Sequence, residues 1–202
     1  DPDLEWGSVE LEEIESYVNE TENILYSEIF KDSELGYSKY IDVDSFVDWY
    51  IINEISKNND AIFFSSVYMN YISGGKLKMG PIWDFDIAFG NINYNNNEKT
   101  DGFWIKNALW IERFFEDEKF VNKVKTRYKY FYNNKNSILE KARTYSNQIQ
   151  QSRINNESVW NILGKYIWPN YFIGNSFDDE QIYFENWIND RMDWLNIEIS
   201  KL

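Results

Sequence analysis

Neither cysteine nor histidine occurs anywhere in the 202 residues. Without cysteine there is no disulfide framework and no thiolate metal site. Without histidine there is no Ser-His-Asp triad, no imidazole acid or base and no His-ligated zinc. Any catalysis therefore rests on carboxylates, Lys/Arg, Tyr or a hard cation held by oxygen. Positive charge is scarce too: 20 Lys and Arg face 34 Asp and Glu, for a net charge of −14. The acids are spread along the chain rather than gathered in a tail. That balance argues against nucleic acid and anionic membrane as partners, because affinity for phosphate is largely a matter of Lys and Arg. It suits an extracellular protein kept soluble by charge. No apolar run reaches the roughly 18 residues of a transmembrane helix. No signal peptide is present, and the abrupt start at Asp1-Pro2-Asp3 reads as a boundary inside a longer protein. Heavy use of Asn, Lys, Ile and Tyr hints at an AT-rich bacterial genome.

The length fits a single domain, 1–202, with room for a respectable core. Most of it has helical periodicity. Over 8–30, Leu11, Ile14, Tyr17, Val18, Ile24 and Leu25 form a stripe. A second helix, with Asp44 as its cap, places Val43, Phe46, Val47, Tyr50, Ile51 and Ile55 on one face and ends at Asn58-Asn59-Asp60. The period then changes: 62–71 is aromatic and β-branched, Ser73-Gly74-Gly75 is a turn signal, and Lys76-Leu77-Lys78-Met79 alternates. This predicts a β-hairpin whose second strand runs through Pro81. Segment 92–103 is a loop long enough to be functional or mobile. Helices follow from Asp117, over 136–153 and 156–167, and from about Asp178. The expected class is α+β, mostly α-helical, with one hairpin presenting an acidic loop.

That loop is the most informative stretch: Gly80-Pro81-Ile82-Trp83-Asp84-Phe85-Asp86-Ile87-Ala88-Phe89-Gly90-Asn91. Two acids one residue apart lie in an otherwise apolar run. Burying both is costly unless a cation, a proton or an arginine neutralises them. At a strand end, alternate residues share a face, and Asp60 returns to the same neighbourhood if the hairpin pairs along its length. Three converging carboxylates would suit Mg²⁺, Mn²⁺ or Ca²⁺ and not zinc. Asn59, Asn91 and Glu54 could add oxygens or orient the ligands. The plainer reading is that Asp-x-Asp arises by chance in an acid-rich chain and that Asp60 caps a turn. Lys76 and Lys78, on the hairpin's polar face, could help hold a phosphate or simply face solvent. Arg191 is expected to pair with a buried acid such as Glu54, or to stack on Trp187, in a structural role.

The 80–91 segment resembles the signature of the CotH family, the spore-coat-type secreted kinases. Ile41-Asp42-Val43-Asp44-Ser45-Phe46, Ile52-Asn53-Glu54-Ile55, Asn58-Asn59-Asp60, Tyr68-Met69 and Gly74-Gly75-Lys76-Leu77 fall in the family's order. Trp187, Arg191 and Trp194-Leu195 are similar to its closing helix. The resemblance implies an atypical protein-kinase fold, of which this chain is the helical carboxy-terminal lobe. It implies ATP with Mg²⁺ (or Mn²⁺) as cofactors, and a secreted or spore-coat protein as substrate. By this carry-over, Asp60 resembles the base that accepts the substrate hydroxyl proton, and Asp84 the acid that holds Mg²⁺ on the phosphates. Asp86 is a further ligand or an orienting group. Ser66 stands in Ser65-Ser66 where some family members carry an Asn metal ligand, and Lys76 and Asn91 are nucleotide-side candidates. Nothing before residue 40 looks like the amino-terminal lobe, with its phosphate-covering loop and ATP-gripping lysine. That missing lobe is thus an expected partner, without which the chain binds ATP weakly.

Two other classes compete. Trp104, Trp110, Trp160 and Trp168, in or near loops or helix ends, could form an aromatic platform for carbohydrate or a protein partner. A carboxylate-pair glycoside hydrolase needs separations of roughly 5–9 Å across a cleft, and only the Asp84/Asp86 pair speaks for it.

Overall fold

The computed structural model describes residues 4–202. Their architecture is mostly helical with one small antiparallel sheet, the expected α+β class. At its centre is α2 (Val43–Ser56), which buries Phe46, Val47, Trp49, Tyr50, Ile51 and Ile55. A helix with apolar residues around so much of its circumference has to be enclosed. It is enclosed by the short α3 (Leu109–Phe114), whose Phe114 packs on Phe46, by α4 (Glu118–Asn133) and by the long α7 (Phe177–Lys201). Phe120, Val124 and Tyr128 of α4 and Trp187, Ile188, Met192, Leu195 and Ile199 of α7 complete the core. The Tyr128 phenol donates to the Met192 carbonyl at 2.6 Å, so the buried hydroxyl is satisfied across the helix pair.

Helix ends follow their side chains. The first helix, α1 (Val9–Leu25), is capped by Ser8 and stops short of the expected residue 30. Asp117 caps α4 as expected. The cap of α2 is Asp42, whose carboxylate accepts from the Ser45 N–H at 3.2 Å, and not Asp44. Asp44 lies in the first turn and pairs instead with Lys123 at 2.6 Å. Ser176 and Asp179 form a capping box that starts α7 close to the expected place. Between α4 and α7, the expected 136–153 and 156–167 resolve into α5 (Lys135–Gln148) and α6 (Gln150–Trp160). The second stops early because Asn161 turns left-handed (φ 44°). The Glu157 carboxylate then accepts from the freed amides of Ile162 and Leu163.

The hairpin exists but is short: β1 (Met69–Asn70) pairs with β2 (Lys78–Met79), Met69 opposite Met79 and Asn70 opposite Lys78. The expected first strand from residue 62 does not form. Phe63 and Ser66 adopt left-handed conformations (φ 66° and 56°), which no strand accommodates, and the Phe64 and Ser65 amides turn back onto the Asp60 carbonyl. The second strand ends at Met79 and does not run through Pro81. Leu77 anchors the hairpin to the start of α2, donating to the Tyr40 carbonyl and accepting from Asp42, each at 2.9 Å.

Candidate active site

Helix α2 ends at Ser56, where Lys57 turns left-handed (φ 48°). The chain is thereby redirected into a short buried run, Asn58 and Asn59, before Asp60 emerges half-buried. The acidic motif is tied alongside it. The Phe89 N–H donates to the Ser56 carbonyl (2.7 Å) and the Asn59 N–H to the Ile87 carbonyl (3.2 Å). The Asn58 amide donates to the Asp84 carbonyl (3.1 Å) and to Asn53 Oδ1 (3.2 Å), while its own oxygen faces the Asp60 N–H at 3.4 Å. One buried side chain therefore links the backbones of Asp60 and Asp84.

The carboxylates are linked through consecutive hydroxyls. Ser65 Oγ donates to Asp60 Oδ2 at 2.8 Å and Ser66 Oγ to Asp84 Oδ2 at 3.0 Å. Asp84 and Ser66 are both left-handed (φ 62° and 56°). Such a backbone costs on the order of 1–3 kcal/mol per non-glycine residue and persists only where its surroundings enforce it. Asp86 makes no side-chain hydrogen bond among the described residues. It lies near Tyr94, whose phenol is pushed up by burial and then by the negative charges of Asp60 and Asp86.

Two expectations are corrected here. The acids do not lie in an apolar cradle: Asp84 and Asp86 are exposed, and so are Ile82 and Trp83. The intervening Phe85, Ile87 and Phe89 turn inward, Phe89 packing on Phe184 and Trp187 with ring centroids 5.1 and 6.5 Å away. Exposure removes the desolvation cost that seemed to demand a resident counter-charge. Nor do three acids converge: among the described residues no group of three or more His, Cys, Asp or Glu is placed to hold a metal ion. The paired strands end too early to aim Asp60, Asp84 and Asp86 at one point. Each acid leaves from its own turn.

The other candidates lie apart from the acids. The Lys76 ammonium donates to the Ser38 carbonyl at 2.6 Å, at the hairpin's tip end. Asn91 accepts from the Phe172 N–H at 3.0 Å and so braces the segment before α7. Between Asp86 and Asn91, Gly90 is obligatory. Its φ is +77°, and a Cβ there would stand 2.0 Å from the Trp187 indole nitrogen.

Behind the site is a buried ion pair. Arg191 Nη2 meets Glu54 Oε1 at 2.7 Å, with both side chains almost fully enclosed. The Glu54 carboxylate also accepts from the amides of Trp104, Ile105 and Lys106 at 2.7–3.0 Å. The Arg191 guanidinium donates to the carbonyls of Glu54, Thr100 and Gly102. The Lys57 ammonium, also buried, donates to the carbonyls of Asn96, Lys99 and Asp101 at 2.8–3.0 Å. The 92–103 loop is thus fastened from below by two cations. The Arg191–Glu54 pairing is the expected one. Asn58, Ser65 and Lys57 were not foreseen, although Asn58 and Ser65 adjoin residues that were.

A helical domain with two acids whose backbones are tied by Asn58 and whose carboxylates each accept from one of two consecutive serines is the class of site now defined. The chain belongs to the CotH kinase protein family, whose profile matches residues 4–195. No curated protein and no solved structure matches it.

Proposed function

We propose that this chain is the helical, carboxy-terminal-lobe-like part of a secreted protein kinase that transfers the γ-phosphoryl group of ATP to a Ser or Thr hydroxyl. The observation that carries the reading is the pairing of Asp60 and Asp84 through Asn58, in a chain of this family. Asp60 is exposed enough to take the proton of an incoming hydroxyl, replacing the bond it now receives from Ser65. Asp84, hydrogen-bonded to Ser66 and two residues from Asp86, offers the oxygen-only donors that suit Mg²⁺ or Mn²⁺. Such a cation, when bound, would neutralise charge on the transferred phosphoryl group. Among the described residues no lysine is paired with Asp60, Asp84 or Asp86: Lys57, Lys76 and Lys78 are engaged by carbonyls or by Asp42. A lysine gripping the phosphates is therefore sought from an amino-terminal lobe, and the substrate among secreted or spore-coat proteins.

The test is phosphotransfer from ATP to a generic Ser/Thr protein with Mg²⁺ or Mn²⁺, using the chain alone and joined to its amino-terminal lobe. Transfer is expected only with the lobe, and Asp60→Asn and Asp84→Asn are each expected to lower it at least 100-fold. Activity unchanged in both variants would overturn the assignment.

The exposed Trp160 and Trp168, 70% and 69% accessible, favour a second reading as a carbohydrate- or protein-binding module. Trp104 and Trp110 do not join them: Trp110 is buried and the Trp104 indole donates to the Asn59 carbonyl. Retention on insoluble polysaccharide, lost on Trp168→Ala, would support that reading.

A further inference from the structure

A cavity of about 470 Å³ lies on the other side of the 162–174 segment, between α6 and the start of α7. Ile149, Ile162, Leu163, Ile167, Phe172 and Phe177 give it apolar walls. That size and lining match small-molecule sites. Helix α6 has no buried residue at all. Its only half-buried side chains, Arg153 and Glu157, are four apart and share the face that lines the cavity. A short helix is ordinarily held by burying an apolar face. This one turns charge inward, beside an unfilled space.

Arg153 is the anomaly in that wall. Its guanidinium stacks 3.7 Å from the centroid of Phe177, and its Nε is buried with no hydrogen-bond partner. Among the described residues it forms no ion pair, although the chain carries a net charge of −14. The other charges lining the cavity are already engaged. Glu180 accepts from the Gly174 N–H at 2.7 Å, Glu157 from the amides of Ile162 and Leu163, and Lys165 bonds to Asn161. Arg153 is therefore the one lining charge whose side chain makes no hydrogen bond among the described residues, and it lies against an aromatic ring.

We propose that this cavity binds a small carboxylate with an apolar body, its carboxylate paired end-on with the terminal nitrogens of Arg153 and its hydrocarbon part against Phe172 and Phe177. A planar carboxylate matches the guanidinium fork in two parallel hydrogen bonds to its terminal nitrogens, which have no partner among the described residues. The wall over the ligand is the one that braces the acidic motif. The Phe172 N–H is held by Asn91, the Asn93 amide donates to the Tyr166 hydroxyl at 2.8 Å, and the Asn93 N–H donates to the Pro169 carbonyl at 2.9 Å. Filling the cavity stiffens that brace.

The test is titration of the 202-residue chain with 4-phenylbutyrate and, as its uncharged counterpart, 4-phenylbutanol, followed by ligand-observed NMR and by amide hydrogen exchange. The acid is expected to bind at least tenfold more tightly than the alcohol and to slow exchange over 91–97 and 162–174. Arg153→Gln is expected to weaken the acid at least tenfold and leave the alcohol unchanged. Leu163→Trp, which fills the cavity without touching the charge, is expected to abolish both. Equal affinity for acid and alcohol, an acid insensitive to Arg153→Gln, or no binding of either at millimolar concentration would each overturn the proposal.

Discussion

At the scale of single residues, the Glu54–Arg191 pair shows how a costly interaction is made tolerable. Desolvating two charges is expensive, and their mutual attraction repays it only when the remaining donors and acceptors are filled. Here Glu54 takes three backbone amides and Arg191 gives to three carbonyls, so neither charge is left idle. Removing one partner strands the other. Arg191→Met is accordingly expected to destabilise the fold by about 3–5 kcal/mol, read as a lower urea midpoint with little change in slope. A loss under about 1 kcal/mol would mean that the backbone donors alone satisfy Glu54. The contrast with Asp84 and Asp86 is instructive. Those acids are exposed, lack such compensation, and keep oxygens free for a ligand.

At the scale of elements, the caps decide boundaries that periodicity leaves open. Val43 opens the apolar stripe of α2, and both Asp42 and Asp44 stand where a cap is plausible by type. The hydrogen bond to Ser45 assigns the role to Asp42. Asp42→Ala is expected to cost about 1 kcal/mol, the usual worth of a cap. Asp44→Ala loses a surface pair with Lys123 worth about 0–1 kcal/mol. Thermal melts of the two variants separate these expectations, and a larger loss at Asp44 would reverse the assignment. The same distinction marks what was legible beforehand. The faces of α4 and α7 were visible because their burial follows a 3.6-residue period, whereas α2 showed only part of a surface that is buried almost all round. The residues of the acidic motif were visible too, and so was the entry to α2, with Asp44 rather than Asp42 expected as its cap. The first strand was not, because aromatic and β-branched residues at 62–67 fit a pleated surface by composition. What that stretch does instead depends on left-handed turns at Phe63 and Ser66, enforced by bonds to Asp60 and Asp84. Exposure of the two acids was hidden for a related reason: an apolar neighbour in sequence turns inward while the acid between turns out. The inward-facing lysine could not be foreseen either, since Lys57 at a helix end is ordinarily solvated and only the 96–101 carbonyls make it structural.

At the scale of the whole molecule, those buried titratable groups set the alkaline behaviour of the fold. Burial, and for Tyr37 the adjoining Asp117 as well, raises the phenols of Tyr37, Tyr50 and Tyr128. Burial likewise pushes Tyr183 up to about 12 from 10.0. In the unfolded chain these phenols ionise near 10.0, while the folded chain still holds their protons. Above that pH the unfolded state binds fewer protons, so stability falls as pH rises, for Tyr183 across the interval from 10.0 to about 12. Lys57 acts in the opposite sense. Burial, with Arg191 nearby, lowers it from 10.5 to about 8. Between those values the unfolded chain holds a proton that the folded chain has released, and stability rises with pH. The two effects meet near pH 10. Urea midpoints measured at pH 8, 9, 10 and 11 are therefore expected to climb to about pH 10 and drop beyond it. Lys57→Met is expected to flatten the climb while leaving the drop in place. A wild-type midpoint that declines steadily from pH 8 would show that the three carbonyls hold the Lys57 proton more tightly than burial expels it. The lysine would then be a permanent cation under the 92–103 loop, with its charge as much a part of the site's scaffold as Arg191.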